Sequence, residues 1–317
     1  MAGVPSEERS GVGEERSGRR MSSRLSDTLA GYGFIMPVVL GLVLFTALPM
    51  ILSLYYSFTK YDILSSPQFV GTSNYSRLLT SPSFLNSLKV TALYAVISVP
   101  LTMVVGLAIA VLLNQRVPGM RIFRTLIYLP AVIPAVAAAE LWKQMYSPSA
   151  YGVVNTVLMR AGFISKPFPF LTHPDTALIS IILISLWGAG GGMIIWLAGL
   201  QSVPVQLYEA AMVDGANAWW RFWRVTIPML TPTILFNLVL GIIAALQIFV
   251  TAFVIGGTDG SPLGALDFVT VFIYRHGFTY FEMGYASAAA WILFVIILVI
   301  VLGLFRFSRS RVVYERV

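Results

Sequence analysis

Long uncharged apolar stretches alternate with short polar connections along most of the chain. Five of them, 28–59, 90–115, 176–208, 225–258 and 283–305, carry no formal charge. Each is long enough to cross a hydrocarbon core of roughly 30 Å, which takes about 20 apolar residues. A sixth, 122–146, is interrupted by Glu140 and Lys143. The pattern predicts six transmembrane helices near 33–57, 88–113, 123–146, 177–200, 230–255 and 285–306. Pro49, Pro100 and Pro134 fall where they should bend these helices. Residues 1–30 are polar and repeat Glu-Glu-Arg-Ser-Gly at Glu7 and Glu14; nothing there can build a core, so a disordered tail is expected. The long apolar run behind it has no small-residue cleavage pattern and does not read as a signal peptide. Residues 31–317 read as one six-helix domain, with loops too short to fold alone.

Composition agrees and narrows the function. Of 317 residues, 57% are hydrophobic and 11% charged, against roughly 25% charged in soluble domains. The chain is an all-α integral membrane protein. With no cysteine, thiol nucleophiles, Fe–S clusters and zinc knuckles are excluded. Two histidines, His173 and His276, cannot make a histidine-rich metal site, and His276 is expected at the surface of a loop. The net charge of +7 does not imply nucleic acid, because lysine and arginine collect in cytoplasmic loops. With the N-terminus inside, the inner segments hold fourteen lysines and arginines and the outer ones six. Both termini are therefore expected in the cytoplasm. No Gly-Lys-Ser or Gly-Lys-Thr loop is present, so ATP is not expected to bind this chain. An ion-coupled secondary transporter needs midplane carboxylates and usually a repeat; an intramembrane enzyme needs partners that Glu140 lacks. Asn74-Tyr75-Ser76 fits a glycosylation acceptor, a pattern common by chance.

The connection 201–229 is the longest on the inner side. Ser202 is expected to cap a short helix with Pro204 in its first turn. Gly215 can take the left-handed conformation that stops it, and Asn217 can cap the next helix. Leu207, Ala210 and Ala211 share a face, where small side chains admit another surface. Trp219, Phe222 and Trp223, with Arg221 and Arg224, suit the lipid headgroup level. The plainer reading is a solvated loop joining two spans.

Glu209-Ala210-Ala211, then Gly215, then Ile227-Pro228 resembles the EAA…G signature of permease subunits of binding-protein-dependent ABC importers, with Met229 a departure. Phe69-Val70-Gly71 with Asn74-Tyr75, Phe123-Arg124 with Leu129-Pro130, and Gly284-Tyr285-Ala286-Ser287-Ala288 resemble motifs of the carbohydrate branch. The resemblance covers about 33–315 and is to the type of the larger maltose permease subunit, without its extra N-terminal helices and external domain. It implies a type I importer permease fold in a prokaryotic plasma membrane and no catalytic site. It further implies a heterodimer with a second permease, two ATPase subunits that bind ATP and Mg, and an extracytoplasmic sugar-binding protein. Tyr208, Glu209, Ala210, Ala211, Asp214 and Gly215 would couple to the ATPase. A related permease for glycerol phosphate or another polar solute is the alternative.

Glu140 and Lys143 are the charges set deepest within a predicted span. They either neutralise one another on one helix face or lie near the outer end in water. A path so poor in charge favours a neutral polar solute such as a sugar. Ser185 and Trp187 stand beside the glycine cluster Gly188, Gly190, Gly191 and Gly192, which permits close approach or an unwound, cavity-lining segment. By the resemblance, Trp187, Asn237 and Gly241 fall near sugar-contacting positions, though Gly241 lacks the expected polar side chain. Gln247 supplies a further amide. The plainer reading of each polar residue is an interhelical hydrogen bond.

Overall fold

The computed structural model describes residues 28–115, 117–149 and 152–308; the tail expected to be disordered lies almost wholly outside them. Twelve helical stretches carry the described fold. They are α1 (Thr28–Ser57), α2 (Ser73–Thr80), α3 (Pro82–Leu113), α4 (Met120–Val132), α5 (Ala135–Met145), α6 (Val153–Arg160), α7 (Pro174–Ser202), α8 (Val205–Val213), α9 (Ala218–Arg221), α10 (Thr231–Gly256), α11 (Val269–Tyr274) and α12 (Met283–Ser308). Five are long and apolar enough to span a bilayer, and α4 with α5 makes a sixth, broken span. The span positions expected from the apolar runs agree within a few residues.

The third span departs most from a straight helix. Ile133 is extended (ψ 130°) and Pro134 follows, so α4 and α5 meet at 96°. Proline removes a backbone donor and disfavours helix at the residue before it. Pro100 is instead carried inside α3 without ending it. A two-residue antiparallel hairpin, β1 (Thr59–Lys60) with β2 (Gln68–Phe69), lies in the first connection and is absent from the all-helical expectation.

The chain divides at Tyr55/Tyr56 into two units. In the first, no described residue is buried. In the second, α3 is the central post and packs against α7 and α10. Ser81 caps α3 by accepting from the Phe84 N–H, with Pro82 at the first helical position, where a missing N–H is harmless. Tyr94, Val99, Ile181, Leu246, Phe268, Phe272, Ala288 and Leu293 form the main core. The short α11 is sunk into it, and its Val269 N–H donates to the buried Thr91 hydroxyl at 2.9 Å. A second cluster joins Ala110, Leu113, Met193, Trp196, Leu200 and Leu230 at the other end of α3.

Several motif residues hold the fold. The Asn74 amide donates to the carbonyls of Ser57 and Thr59, both at 2.9 Å; this engagement disfavours its reading as a glycosylation acceptor. The Tyr75 hydroxyl meets Ser57 at 2.7 Å. A Cβ at Gly284 would collide with the Thr59 carbonyl oxygen. Arg124 donates to the Leu113 carbonyl at 2.8 Å, occupying an acceptor that the end of α3 leaves open.

Candidate functional site

Three spans are interrupted, and the interruptions converge. The third breaks at Ile133–Pro134; the fourth tightens into a 3₁₀ turn at Gly188–Gly192; the fifth is interrupted between Leu246 and Val250. A Cβ at Gly190 would collide with the Ile127 carbonyl oxygen, so glycine lets α4 reach the turn of α7. The Ile248 carbonyl, freed by the third interruption, accepts from the Thr270 hydroxyl. Non-helical backbone at membrane depth is tolerated where it is buried in protein or lines a cavity. Here it lines one.

That cavity holds about 190 Å³ and is lined by residues from all three interrupted spans, including Pro130, Ala139, Trp142, Ser185, Trp187, Gly188, Ile248 and Thr251, together with Tyr94 of α3. Trp187 and Trp142 stand edge to face, with centroids 5.7 Å apart at 79°. The Ser185 hydroxyl donates to the Ile182 carbonyl at 2.6 Å. Among the described residues, no charged side chain lines the cavity. A larger void of about 600 Å³ between α3, α10 and α12 is walled almost entirely by Leu, Ile, Val and Ala, which gives a polar solute nothing to bond.

Ser185 and Trp187 therefore meet in one place, but the other residues expected along the path do not join them. Asn237 donates to the Thr233 carbonyl at 2.9 Å and turns its oxygen toward Gly192. Gly241 lies against Val99, a wall of the apolar void. Gln247 is exposed at the fifth-span interruption. Trp142, Tyr94 and Thr251 were not singled out by the sequence. A tryptophan eight residues past a helix-breaking proline was the available signal.

Glu140 and Lys143 form an i,i+3 ion pair at 3.9 Å, and both are about half exposed. Lys143 also reaches the Val254 carbonyl at 3.4 Å. The pair thus neutralises itself on one helix face, the first of the two readings.

The connection 201–229 contains α8 and α9. Ser202 donates to the Gly199 carbonyl and does not cap; Pro204 occupies the cap position of α8. Gly215 has φ +77°, its N–H bonds to the Met212 carbonyl at 3.0 Å, and the Ala216 N–H bonds to the Ala211 carbonyl at 2.8 Å. This pair of bonds is the Schellman closure that favours glycine. Asn217 caps α9 by accepting from the Trp220 N–H at 2.8 Å. The Tyr208 hydroxyl lies 2.9 Å from that of Thr226 and ties α8 to the entry of the fifth span. Ala210 is exposed, whereas Ala211 is buried within this chain. The two alanines expected to share a docking face point differently. The exposed face is completed by Val205, Leu207, Glu209, Met212 and Val213, the last 88% exposed.

Charge concentrates at the first and fifth connections. Arg275 and Asp267 form a buried pair at 3.0 Å, and Arg275 also donates to the Thr258 carbonyl at 3.0 Å. Burial pushes the Asp267 carboxyl above its ordinary range, against the pull of Arg275. Arg77 bonds Glu282 at 2.8 Å, and Glu282 bonds the His276 ring at 2.7 Å. Burial acts to raise Glu282, but Arg77 and His276 outweigh it and hold the carboxyl low. Burial holds the His276 ring below its ordinary range, and Glu282 offsets this only in part. His276 is thus half-buried and tilted against Phe272 (centroids 4.3 Å apart at 40°), not the surface residue expected.

Residues 16–314 match the model of the family described as "Binding-protein-dependent transport system inner membrane component", and the chain belongs to that family. It is 41% identical to the "Probable ABC transporter permease protein YesP" of Bacillus subtilis, over 94% of this chain and 96% of that protein. It is 33% identical to the "Trehalose/maltose transport system permease protein MalF" of Thermococcus litoralis, over 89% and 94%. It is 34% identical to the "sn-glycerol-3-phosphate transport system permease protein UgpA" of Agrobacterium fabrum, over 89% and 96%. Among solved structures, a chain of the bacterial alginate ABC transporter, crystallised in complex with an alginate pentasaccharide-bound periplasmic protein, superposes with a TM-score of 0.80. That match has 28% identity and covers 92% of this chain and 98% of the other.

Proposed function

We propose that this chain is the transmembrane permease subunit of an ATP-driven importer for a neutral sugar or oligosaccharide. The observation that carries the solute class is the uncharged, aromatic cavity where three interrupted spans meet. Sugars present C–H faces to aromatic rings and hydroxyls to polar groups, and this lining offers Trp187, Trp142, Ser185 and Thr251. Relatives named for trehalose and maltose support the reading. A relative named for sn-glycerol 3-phosphate supplies the rival, but a phosphate calls for cationic or oriented N–H donors, and among the described residues no cation lines the cavity.

In this reading both termini are cytoplasmic, following the fourteen-to-six distribution of lysine and arginine. The exposed face of α8 then docks on an ATPase subunit that binds ATP and Mg, and an extracytoplasmic binding protein delivers the solute at the opposite face. A second permease completes the path. Tyr208, Glu209, Ala210, Asp214 and Gly215 shape the docking element, while Ala211 holds it to this chain from behind.

The test is reconstitution with the second permease, ATPase and binding protein encoded beside it. ATP-driven accumulation of a neutral sugar, lost in Trp187→Ala without loss of assembly, is the expected outcome. Accumulation of sn-glycerol 3-phosphate alone would overturn the solute class. The cysteine-free chain also allows single-cysteine labelling at Ser65 and Val213. An impermeant maleimide should reach Ser65→Cys from outside and Val213→Cys only from inside.

A further inference from the structure

We infer that Trp142 is a solute-binding residue that sets selectivity in the cavity, an inference that rests on the neutral-sugar reading above. The helix α5 begins just after the 96° bend and runs along the cavity. Its residues Ala135, Ala138, Ala139 and Trp142 all line that space, and the i, i+3, i+4, i+7 spacing puts them on one helical face. Three methyl groups keep the wall low, and a single large ring closes its end.

Two further observations give that ring a role beyond packing. Trp142 stands at 79° to Trp187, so the two indoles make an aromatic corner. The Trp142 indole N–H is buried and has no acceptor among the described residues. Buried indole N–H groups usually find a partner; this one has almost no surface of its own, so a small turn of the ring is needed for a solute hydroxyl in the cavity to supply it. A pyranose fits this arrangement, with a C–H face on one ring and a hydroxyl oxygen accepting from the other. A space of about 190 Å³ lies below the roughly 300–1,000 Å³ of pockets for drug-sized ligands and suits one small ring at a time.

The ring is also held from behind. Trp142 packs on Tyr146 at 5.8 Å, and Tyr146 on Phe170 at 5.9 Å. The fully buried Asn155 anchors the connection carrying Phe170, bonding the Ser147 carbonyl and both backbone groups of Phe168. Trp142 is therefore braced from behind, and its substitution should act on solute affinity.

The experiment uses the assembled transporter in detergent, held with ATP and vanadate, and measures equilibrium retention of tritiated trehalose, lactose, arabinotriose and sn-glycerol 3-phosphate. For a sugar retained by wild type, Trp142→Phe keeps an aromatic face but removes the donor and should weaken retention about five- to ten-fold, the size of a lost hydrogen bond. Trp142→Leu should weaken it further, while the transporter still assembles. Wild-type affinity and solute order in both variants would overturn the role of Trp142 and leave the sugar reading standing. Retention by wild type of sn-glycerol 3-phosphate alone, or of none of the four, overturns that reading and this inference with it.

Discussion

The two ends of the molecule solve the same problem in opposite ways. At the first and fifth connections, charges are paired within the chain: Arg275 with Asp267, and Arg77 with Glu282 and His276. At the fourth connection, α8 presents Val205, Leu207, Met212 and Val213 outward, and Glu209 and Asp214 have no ion pair among the described residues. The first end is complete by itself. The second has a fixed backbone, closed by the Gly215 bonds, but an unfinished surface. Under the proposed function this exposed apolar face is the docking site, and its fixed backbone lowers the ordering cost of docking.

The sharpest way to break this comparison is to remove one member of the buried pair. Arg275→Met leaves Asp267 as an uncompensated charge, and breaking a buried pair from one side costs about 3–5 kcal/mol. A much lower Tm in detergent, or no folded protein, is expected. Val213→Asp should leave Tm as in wild type, because the residue is 88% exposed, yet abolish co-purification of the ATPase. Equal stability of Arg275→Met and wild type would remove the claim that the first end is self-contained. Retained ATPase in Val213→Asp would remove the proposed docking face.

A smaller effect is expected at Gly215. Its φ of +77° is nearly free for glycine and costs other residues about 1 kcal/mol or more. Space is not the constraint, since a Cβ there meets nothing within 4 Å. Gly215→Ala should therefore keep the spans folded and the ATPase bound, while solute-stimulated hydrolysis falls several-fold because α8 no longer leaves at a fixed angle. Unchanged coupling in this variant would mean that the Schellman closure is incidental.

What the sequence disclosed follows the range of each interaction. The spans were legible because a bilayer imposes about 20 apolar residues on every crossing. The stop at Gly215 and the cap at Asn217 were legible because each is decided within a few residues. Ser202 misled for the same reason: its hydroxyl had a rival acceptor, the Gly199 carbonyl. Pro134 announced a bend but not its size, since the neighbours of α5, among them the 250–256 segment of α10, come from far along the chain. The Asp267–Arg275 pair looked like loop charge, and nothing local said that α11 is sunk into the core. Ala210 and Ala211 were indistinguishable by residue type; only the packing of α8 separates them. At the cavity, Ser185 was legible through the adjacent glycines, and Trp187 through those glycines and the family resemblance. Trp142 was missed because the break that aims it at Trp187 lies two turns away.

The smallest expected effect is a pH dependence confined to the self-contained end. The folded chain holds the His276 ring below its ordinary value near 6.5, chiefly by burial, with Glu282 opposing and Arg275 and Arg77 adding to the depression. As pH falls through that value, the unfolded chain binds a proton that the folded chain resists. Stability is therefore present above the unfolded value and is lost toward the lowered folded one. Glu282, held below its ordinary 4.5, acts in the same direction at more acid pH. Asp267, raised by burial, acts in the opposite direction. His276→Gln keeps both carboxylates and an amide that can still bond Glu282, so the difference from wild type isolates the ring. Between pH 7.5 and 5.5, wild-type Tm should fall slightly more than that of His276→Gln, by less than the cost at Gly215. Parallel Tm curves would show that the ring adds only packing against Phe272 and Tyr285, and that the proton balance at this end is set by the two carboxylates alone.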